Sequence, residues 1–272
     1  MKKKDFFSLR MLILTFLMSM NIYAEDLPKP IYITMTTLHR NYATDGKDLK
    51  ATEKEYFDKV TSKNPLIMGF HIMTHYYTDD SSEIVFLNIY KTWEDIEKAN
   101  DVSADLIKKA WPDEKARTAF FDKQRSFYTA MHSDEIYASV ESVGLKEFVP
   151  PKEPAKELMI VYVRISKMAP YGGDKGKSLK EYNEKVTFKD PYVKGYYPSR
   201  HAWGSDNRDF VEIFLYDSLA DLEKSNLKRK ELEKAAWPKE ADSKAFFDQL
   251  KLSFTGVHGD YIYHDVPDIS KN

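Results

Sequence analysis

The pattern of hydrophobic and polar positions predicts the same series of elements twice along the chain. Residues 31–39, 66–77, 83–90 and 134–140 have the length and the β-branched or aromatic content of strands. Residues 49–62 show helical spacing, with Tyr56, Phe57 and Val60 on the inward stripe, and two more helices are predicted before residue 134. The first half therefore has the predicted order β-α-β-β-α-α-β, and residues 158–266 repeat it.

An offset of 126 residues superimposes the two halves. Trp111-Pro112 recurs as Trp237-Pro238, and about a third of the positions aligned at this offset are identical. The shared residues include the pairs Tyr56/Tyr182, His75/His201, Tyr90/Tyr216, His132/His258 and Tyr137/Tyr263. Self-similarity at a fixed period indicates a duplicated structural unit.

Each unit has the element order of a ferredoxin-like fold, in which helices cover one face of the sheet. Val85, Leu87 and Ile89 share one face of their strand. We expect the opposite face to be left bare, with large side chains on it in both halves: Ile84, Phe86 and Tyr90, then Phe210, Phe214 and Tyr216. Since a bare apolar face is unfavourable in water, the sequence predicts that the two bare faces pack together and close an eight-stranded barrel within one chain.

The N-terminus has the pattern of an export signal. Lys2, Lys3 and Lys4 precede the apolar segment 11–20, and Ala24 provides a small residue before the expected cleavage point. The predicted organisation is a signal peptide (1–24), a first repeat (25–146), a Pro-rich linker (147–157), a second repeat (158–266) and a tail (267–272). An uncleaved membrane anchor is the alternative, but ten apolar residues span only about 15 Å of a bilayer core of about 30 Å.

Composition narrows the function classes. The chain has 272 residues, a net charge of −2, 42% hydrophobic residues and no cysteine. The missing cysteine excludes disulfides, thiolate zinc sites and iron–sulfur clusters. The charge argues against a nucleic-acid partner, which would need a basic surface.

The element order, repeat size and duplication resemble the dimeric α/β-barrel superfamily. This superfamily includes cofactor-independent antibiotic-biosynthesis monooxygenases, haem-degrading enzymes and muconolactone isomerases. The resemblance implies an α+β fold of two tandem ferredoxin-like repeats, with a ligand pocket between sheet and helices in each half. The Asn/Trp/His set of the haem-degrading enzymes has no residue-by-residue match here, so that activity is not implied.

Histidines repeated on the second predicted strand are the first candidates for chemistry. His75 shares a strand face with Tyr77, and His201 shares one with Trp203. They are candidates for a ligand contact or a base, and a hydrogen-bonded structural role is the alternative. His71 and His75 are too far apart on a strand to share a metal ion, so no metal is expected.

His132 and His258 precede an acidic residue by two positions in each half. A His–Asp pair can orient an imidazole for proton transfer. The alternative is a structural role, because we expect both pairs at the junction where the last helix gives way to the last strand.

The remaining candidates are aromatic. Trp111 and Trp237 either line a pocket mouth or pack over a helix corner, and Tyr56 and Tyr182 either contact a ligand or fill the core.

Together these features favour an exported small-molecule-binding barrel or a cofactor-independent enzyme that acts on an aromatic or lipophilic compound. A non-catalytic exported scaffold is the alternative, and haem binding through His75 or His201 is a third possibility. We expect no cofactor, no nucleic acid, no stable membrane anchor, and a monomer whose two halves form an intrachain pseudo-dimer.

Overall fold

Eight strands form one closed antiparallel barrel in the computed structural model, which describes residues 29–149, 158–170, 173–174 and 176–271. The predicted export signal (1–24) lies outside the described residues, as do residues 150–157 of the predicted linker. Within the described ranges, no helix combines the length and the apolar character needed to cross a membrane.

The order of elements predicted for each half is confirmed. The first half contains β1 (Tyr32–Arg40), α1 (Leu49–Lys59), β2 (Gly69–Tyr77), β3 (Glu83–Tyr90), α2 (Trp93–Ala110), α3 (Glu114–Ser126) and β4 (Tyr128–Ser139). The second half contains β5 (Ile160–Met168), α4 (Lys177–Lys185), β6 (Gly195–Trp203), β7 (Asp209–Tyr216), α5 (Leu219–Ala236), α6 (Glu240–Lys251) and β8 (Phe254–Asp265).

Side-chain caps determine where the long helices begin. Thr92 accepts a hydrogen bond from the backbone N–H of Asp95, whose carboxylate accepts one from the Thr92 N–H, so α2 begins with a capping box. Ser218 accepts from the N–H of Asp221 at the start of α5. These contacts satisfy N–H groups that have no partner within the helix.

Two seams join the halves into the barrel. The strand order is β1-β3-β2-β8-β5-β7-β6-β4, so that β2 pairs with β8 and β4 pairs with β6. The other pairings between these eight strands occur within one half. The barrel therefore exists only when both halves are in place.

The interior of the barrel is filled by side chains from both halves. Val85, Val163, Met73 and Val211 are each at most 1% exposed. The other buried members of this cluster are Met35, Leu87, Tyr137, Val161, Ile213 and Tyr263. The predicted closure of two sheets into one barrel is confirmed.

The prediction of which strand face points inward was wrong. Val85 and Leu87 face the barrel interior, whereas Ile84, Phe86 and Tyr90 lie beneath the helices with Phe57 and Ala99. In the second half, Phe210, Phe214 and Tyr216 likewise lie on the helix side. On β3 the β-branched and aliphatic side chains face the barrel interior, while the aromatic rings of this strand fill the space under the helices.

Each half is completed by a segment that follows the last strand of the other half. After β4, Val143 packs with Leu179 and Phe210, and Lys146 pairs with Tyr196 on β6. After β8, Ile269 is 2% exposed among Phe57, Phe70 and Ile72 of the first half. Lys271 also pairs with Phe70 on β2. Because each half packs its final segment on the other half, these segments hold the two halves together outside the barrel.

Met73→Ala tests the importance of the barrel interior. Because Met73 is 1% exposed where both halves meet, its truncation should reduce the free energy of unfolding by about 2–5 kcal/mol. Urea denaturation measures this change. Met131→Ala is the matched control, because Met131 is 68% exposed on β4 and should change stability by less than about 0.5 kcal/mol. Equal small effects of the two substitutions would contradict the assignment of Met73 to a packed interior.

Candidate functional site

A cavity of about 550 Å³ lies between the sheet and the helices of the first half. Its walls come from β1, β2, β3 and the start of β4 on the sheet side and from α1, α2 and α3 on the helix side. Seven aromatic side chains line it: Tyr56, Phe57, Phe70, Phe86, Tyr90, Phe121 and Tyr128. The polar lining consists of Thr36, Glu53, Thr61, Asn88, Asn100, Ser103, Gln124 and Arg125.

Helical and strand periodicity bring these side chains together. Glu53, Tyr56 and Phe57 are three or four residues apart on α1, so they share the helix face that turns toward the sheet. Phe86 and Asn88 alternate with barrel-interior residues on β3, and Thr36 does the same on β1. The cavity therefore lies on the outer face of the sheet.

Glu53 is a buried carboxyl group in the cavity wall. The residue is only 5% exposed. Gln124 Nε2 donates to its two carboxylate oxygens at 3.2 and 3.1 Å, and the Tyr128 hydroxyl donates to Oε1 at 2.8 Å. Burial raises the pKa of Glu53, and the hydrogen bonds from Tyr128 and Gln124 oppose this shift. The group is thus placed to exchange a proton with a molecule in the cavity.

The charged residue at the open side of the cavity is Arg125. Its guanidinium pairs with Asp122, and its side chain is 70% exposed, so the cavity reaches solvent there. Burial raises the pKa of Tyr56 and of Tyr90, which keeps both phenols protonated at neutral pH. The deep part of the cavity therefore presents aromatic rings, neutral hydroxyl groups and one carboxyl group.

The corresponding space in the second half holds larger side chains. The strand registers place Tyr162 and Arg164 on β5 where β1 has Thr34 and Thr36. On β7, Phe214 occupies the position of Asn88. Tyr162 stacks on Phe214 with ring centroids 5.4 Å apart. The two halves are consequently not equivalent.

A polar network connects these larger side chains. Arg164 Nε donates to Asp260 Oδ1 at 2.9 Å, and the Tyr162 hydroxyl donates to the same oxygen at 2.6 Å. The Tyr196 hydroxyl donates to Glu212 Oε1 at 2.8 Å. Burial raises the pKa of Glu212, while the positive charge of Arg164 acts in the opposite direction. The second half thus supplies its own partners for its buried acid.

Of the ten candidate residues predicted from sequence, Tyr56 lines the cavity. Its ring meets Phe121 edge to face at 6.1 Å. Its counterpart Tyr182 donates to Glu233 Oε1 at 2.7 Å and stacks on Trp237. The two tyrosines occupy equivalent positions but have different polar surroundings.

The two tryptophans pack at the corner between consecutive helices. Trp111 is 8% exposed and stacks on Phe120 at 4.2 Å, and Trp237 stacks on Phe246 at 3.8 Å. Lys59 lies over Trp111 with its ammonium 4.7 Å from the ring centroid. These contacts agree with the packing interpretation.

The repeated histidines of β2 and β6 lie on the face of the sheet opposite the cavity. His75 follows the interior residue Met73 by two positions, and its Nδ1 is 2.8 Å from Thr78 Oγ1. His201 has the equivalent position on β6. Tyr77 and Trp203 come two residues later and are mostly exposed. These four residues do not converge with Tyr56 on one site.

The predicted location of His132 and His258 was wrong. Both lie within a strand, since β4 begins at Tyr128 and β8 begins at Phe254, immediately after the helices end. His132 Nε2 is 3.4 Å from Asp134, and His258 Nε2 is 3.1 Å from Asp260. The strands start early because their backbones pair with β1 and β5 as far back as Tyr128 and Phe254. Both pairs are substantially exposed on the outer face of the sheet.

The two histidines considered as haem ligands do not reach the cavity. The lining contains no histidine, cysteine or methionine, and His75 and His201 lie across the sheet from it. Among the described residues, no group of three or more His, Cys, Asp or Glu side chains could hold a metal ion.

Several cavity residues were missed because the two halves do not share them. Glu53, Gln124 and Tyr128 correspond to Leu179, Leu250 and Phe254 at the repeat offset. A search for residues common to both copies passes over them. One signal in the sequence could have identified Glu53. It is a charged residue on the inward helical stripe that also carries Tyr56 and Phe57.

Glu53→Gln should change how stability depends on pH. Burial raises the pKa of Glu53 in the folded state above its unfolded value of about 4.3, so ionisation disfavours the folded state. As the pH rises from 4 to 8, the melting temperature of the native protein should therefore fall relative to that of Glu53→Gln. Glu55→Gln is the control, because Glu55 lies on the same helix with its side chain 43% exposed and paired with Lys59. An equal pH-dependent gap in both variants would contradict the assignment.

Solved structures with the same architecture span nearly all of the chain. A proposed monooxygenase from Fusobacterium nucleatum subsp. nucleatum superposes with a TM-score of 0.56 at 10% identity, over 90% of this chain and 96% of that chain. A proposed monooxygenase from Lactobacillus acidophilus superposes with a TM-score of 0.53 at 7% identity, over 90% of this chain and 97% of that chain. A chlorite dismutase variant from Candidatus Nitrospira defluvii superposes with a TM-score of 0.51 at 13% identity, over 89% of this chain and 94% of that chain.

The chain matches no protein-family model and has no significant match among curated proteins. At such low identities the structural similarity establishes the fold alone. The eight-stranded closure, the helices on the outer face and the two repeats all agree with those structures. The protein therefore has the dimeric α/β-barrel fold, an α+β architecture in which both ferredoxin-like repeats belong to one chain.

Proposed function

We propose that this protein binds a small aromatic or lipophilic compound in the cavity of its first half. The observation that supports this proposal is an aromatic-lined space of about 550 Å³ with one buried carboxyl group in its wall. Cavities of about 300–1,000 Å³, mostly apolar and with a few convergent polar groups, are typical of small-molecule sites. Such a compound would replace water against the rings and meet Glu53 at its polar end.

Glu53 is also the group in this cavity best suited to accept or donate a proton during a reaction. An enzyme that works without a cofactor would use a group of this kind for proton transfer. The proposal therefore covers both a binding protein and an enzyme that acts on the bound compound. Kinetic tests should begin with compounds that raise the melting temperature.

A thermal-shift panel tests the binding proposal. Aromatic and lipophilic compounds of one to three rings should include some that raise the melting temperature, because a ligand that binds only the folded state stabilises it. At a concentration 100 times Kd the stabilisation is about 2.7 kcal/mol. If no member of the panel raises the melting temperature, the non-catalytic scaffold becomes the better description.

Asn88→Phe tests where the compound binds. This change gives β3 the residue that β7 carries as Phe214, so the fold already accommodates a ring at this register while the cavity loses volume. Ligand affinity should fall at least about tenfold, which corresponds to 1.4 kcal/mol. Asn226→Phe is the control, because Asn226 is exposed on α5 of the second half. An equal loss of affinity in both variants would place the compound elsewhere.

We also propose that the protein acts outside the cytoplasm. The supporting pattern is the basic start, the apolar segment 11–20 and Ala24 before the acidic Glu25. N-terminal sequencing of protein recovered from cell fractions should find a mature chain that begins at Glu25 and is absent from the cytoplasmic fraction. A cytoplasmic chain that retains residues 1–24 would refute export.

A further inference from the structure

We infer that the cavity selects a positively charged compound, namely an aromatic or lipophilic amine whose ammonium group pairs with Glu53. This inference rests on the proposed function and specifies its ligand class. It is carried by the contacts of Glu53, by the comparison with the second half and by the aromatic lining.

The surroundings of Glu53 provide hydrogen-bond donors but no positive charge. Both of its partners, Gln124 Nε2 and the Tyr128 hydroxyl, are neutral donors. None of the described groups that hydrogen-bond to the carboxylate or shift its pKa is positively charged. This donor set matches an ionised carboxylate, which only accepts hydrogen bonds. Since a buried charge without a counter-charge is unfavourable, a ligand cation would supply what the cavity lacks.

The second half shows how this fold compensates a buried acid with its own cation. Arg164 stands directly across from Glu212 in the β5–β7 register, and its charge favours the ionised form of that acid. The first-half position equivalent to Arg164 is Thr36, which lines the cavity. The first half therefore retains a buried acid, on α1 instead of the sheet, but has a short neutral side chain where its counterpart has a guanidinium. The ammonium group of a ligand can supply the positive charge that Arg164 supplies in the second half.

The rest of the lining also favours a cation. Aromatic faces attract positive charge, by about 0.5–2 kcal/mol for each well-placed ring. Thr36 Oγ1 donates to Asp134 Oδ1 at 2.7 Å, which places a second carboxylate beside the β1 wall. The one cationic residue of the lining, Arg125, is paired with Asp122 and mostly exposed. The charge balance around the cavity is thus acidic.

Three compounds with the same ring system separate charge from shape. We would measure binding of 1-naphthylmethylamine, 1-naphthylmethanol and 1-naphthoate to the full protein at pH 7 by isothermal titration calorimetry. The amine is positively charged, the alcohol neutral and the carboxylate negative. The amine should bind at least about tenfold more tightly than the alcohol, a difference of 1.4 kcal/mol, and the carboxylate should bind most weakly.

Two variants identify the residues responsible. Glu53→Gln keeps the shape and removes the charge, so the amine and the alcohol should bind within about twofold of each other. Thr36→Arg introduces at β1 the cation that β5 already carries, with Asp134 available as Asp260 is for Arg164. It should weaken amine binding at least about tenfold. Glu212→Gln removes the acid of the second half and should leave the preference for the amine intact.

The outcomes distinguish this inference from the function on which it rests. If the alcohol binds the native protein as tightly as the amine, or if Glu53→Gln retains the preference for the amine, selection of a cation by Glu53 is refuted while the binding site stands. If none of the three compounds binds and the wider panel also fails, the proposed function itself is refuted. Circular dichroism and melting curves of each variant confirm that it is folded before binding is compared.

Discussion

The inner face of each β-sheet is apolar, and neither half can bury that face without the other. The packing of these two faces into one barrel is the interaction on which the rest of the structure depends. Separation would expose Val85, Val163, Met73 and their neighbours to water, at about 25 cal/mol for each Å² of apolar surface. Because the sheets close on each other, the helices must occupy the outer face. The space between sheet and helices, where the cavity lies, is a result of that closure.

Duplication within one chain allows the outer layers to differ while the barrel stays the same. The interior and the seams serve both halves, so changes there affect the whole fold. The layer under the helices serves only its own half. There the first copy has Glu53 on its helix and Phe86 on its sheet, whereas the second has Leu179 and Glu212. One copy has thus linked its acid into a network with Tyr196, and the other presents its acid to a cavity.

The fold could be predicted from sequence because its signals are repeated and periodic. The 126-residue offset and the alternation of Val85, Leu87 and Ile89 were enough to predict two ferredoxin-like units and their closure. The alternation of side chains along β3 could not decide which face points into the barrel. Both faces of this strand are apolar, because one packs in the barrel interior and the other packs under the helices. Side-chain size does not settle the choice either, since the interior holds the rings of Tyr137 and Tyr263.

The site was harder to predict because shared residues mostly maintain the structure that both halves need. Trp111 and Trp237 recur because each packs a helix corner, and His75 and His201 recur on the barrel side. The cavity depends instead on what the first half does not share, and a comparison of the copies for differences would have emphasised Glu53 and Asn88. The start of β4 was missed for another reason. Its first residues form a strand because their backbones pair with β1. The side chains around His132 are exposed and show no alternation of apolar and polar residues.

The exchange of segments after β4 and β8 determines when the cavity can take its final shape. Ile269 packs against Phe57 and Phe70, both of which line the cavity, although it follows β8 of the second half. A ribosome makes the first half early, yet the wall behind that cavity is completed by a segment that follows the last strand of the second half. The first half therefore cannot complete this wall before the second half has been made.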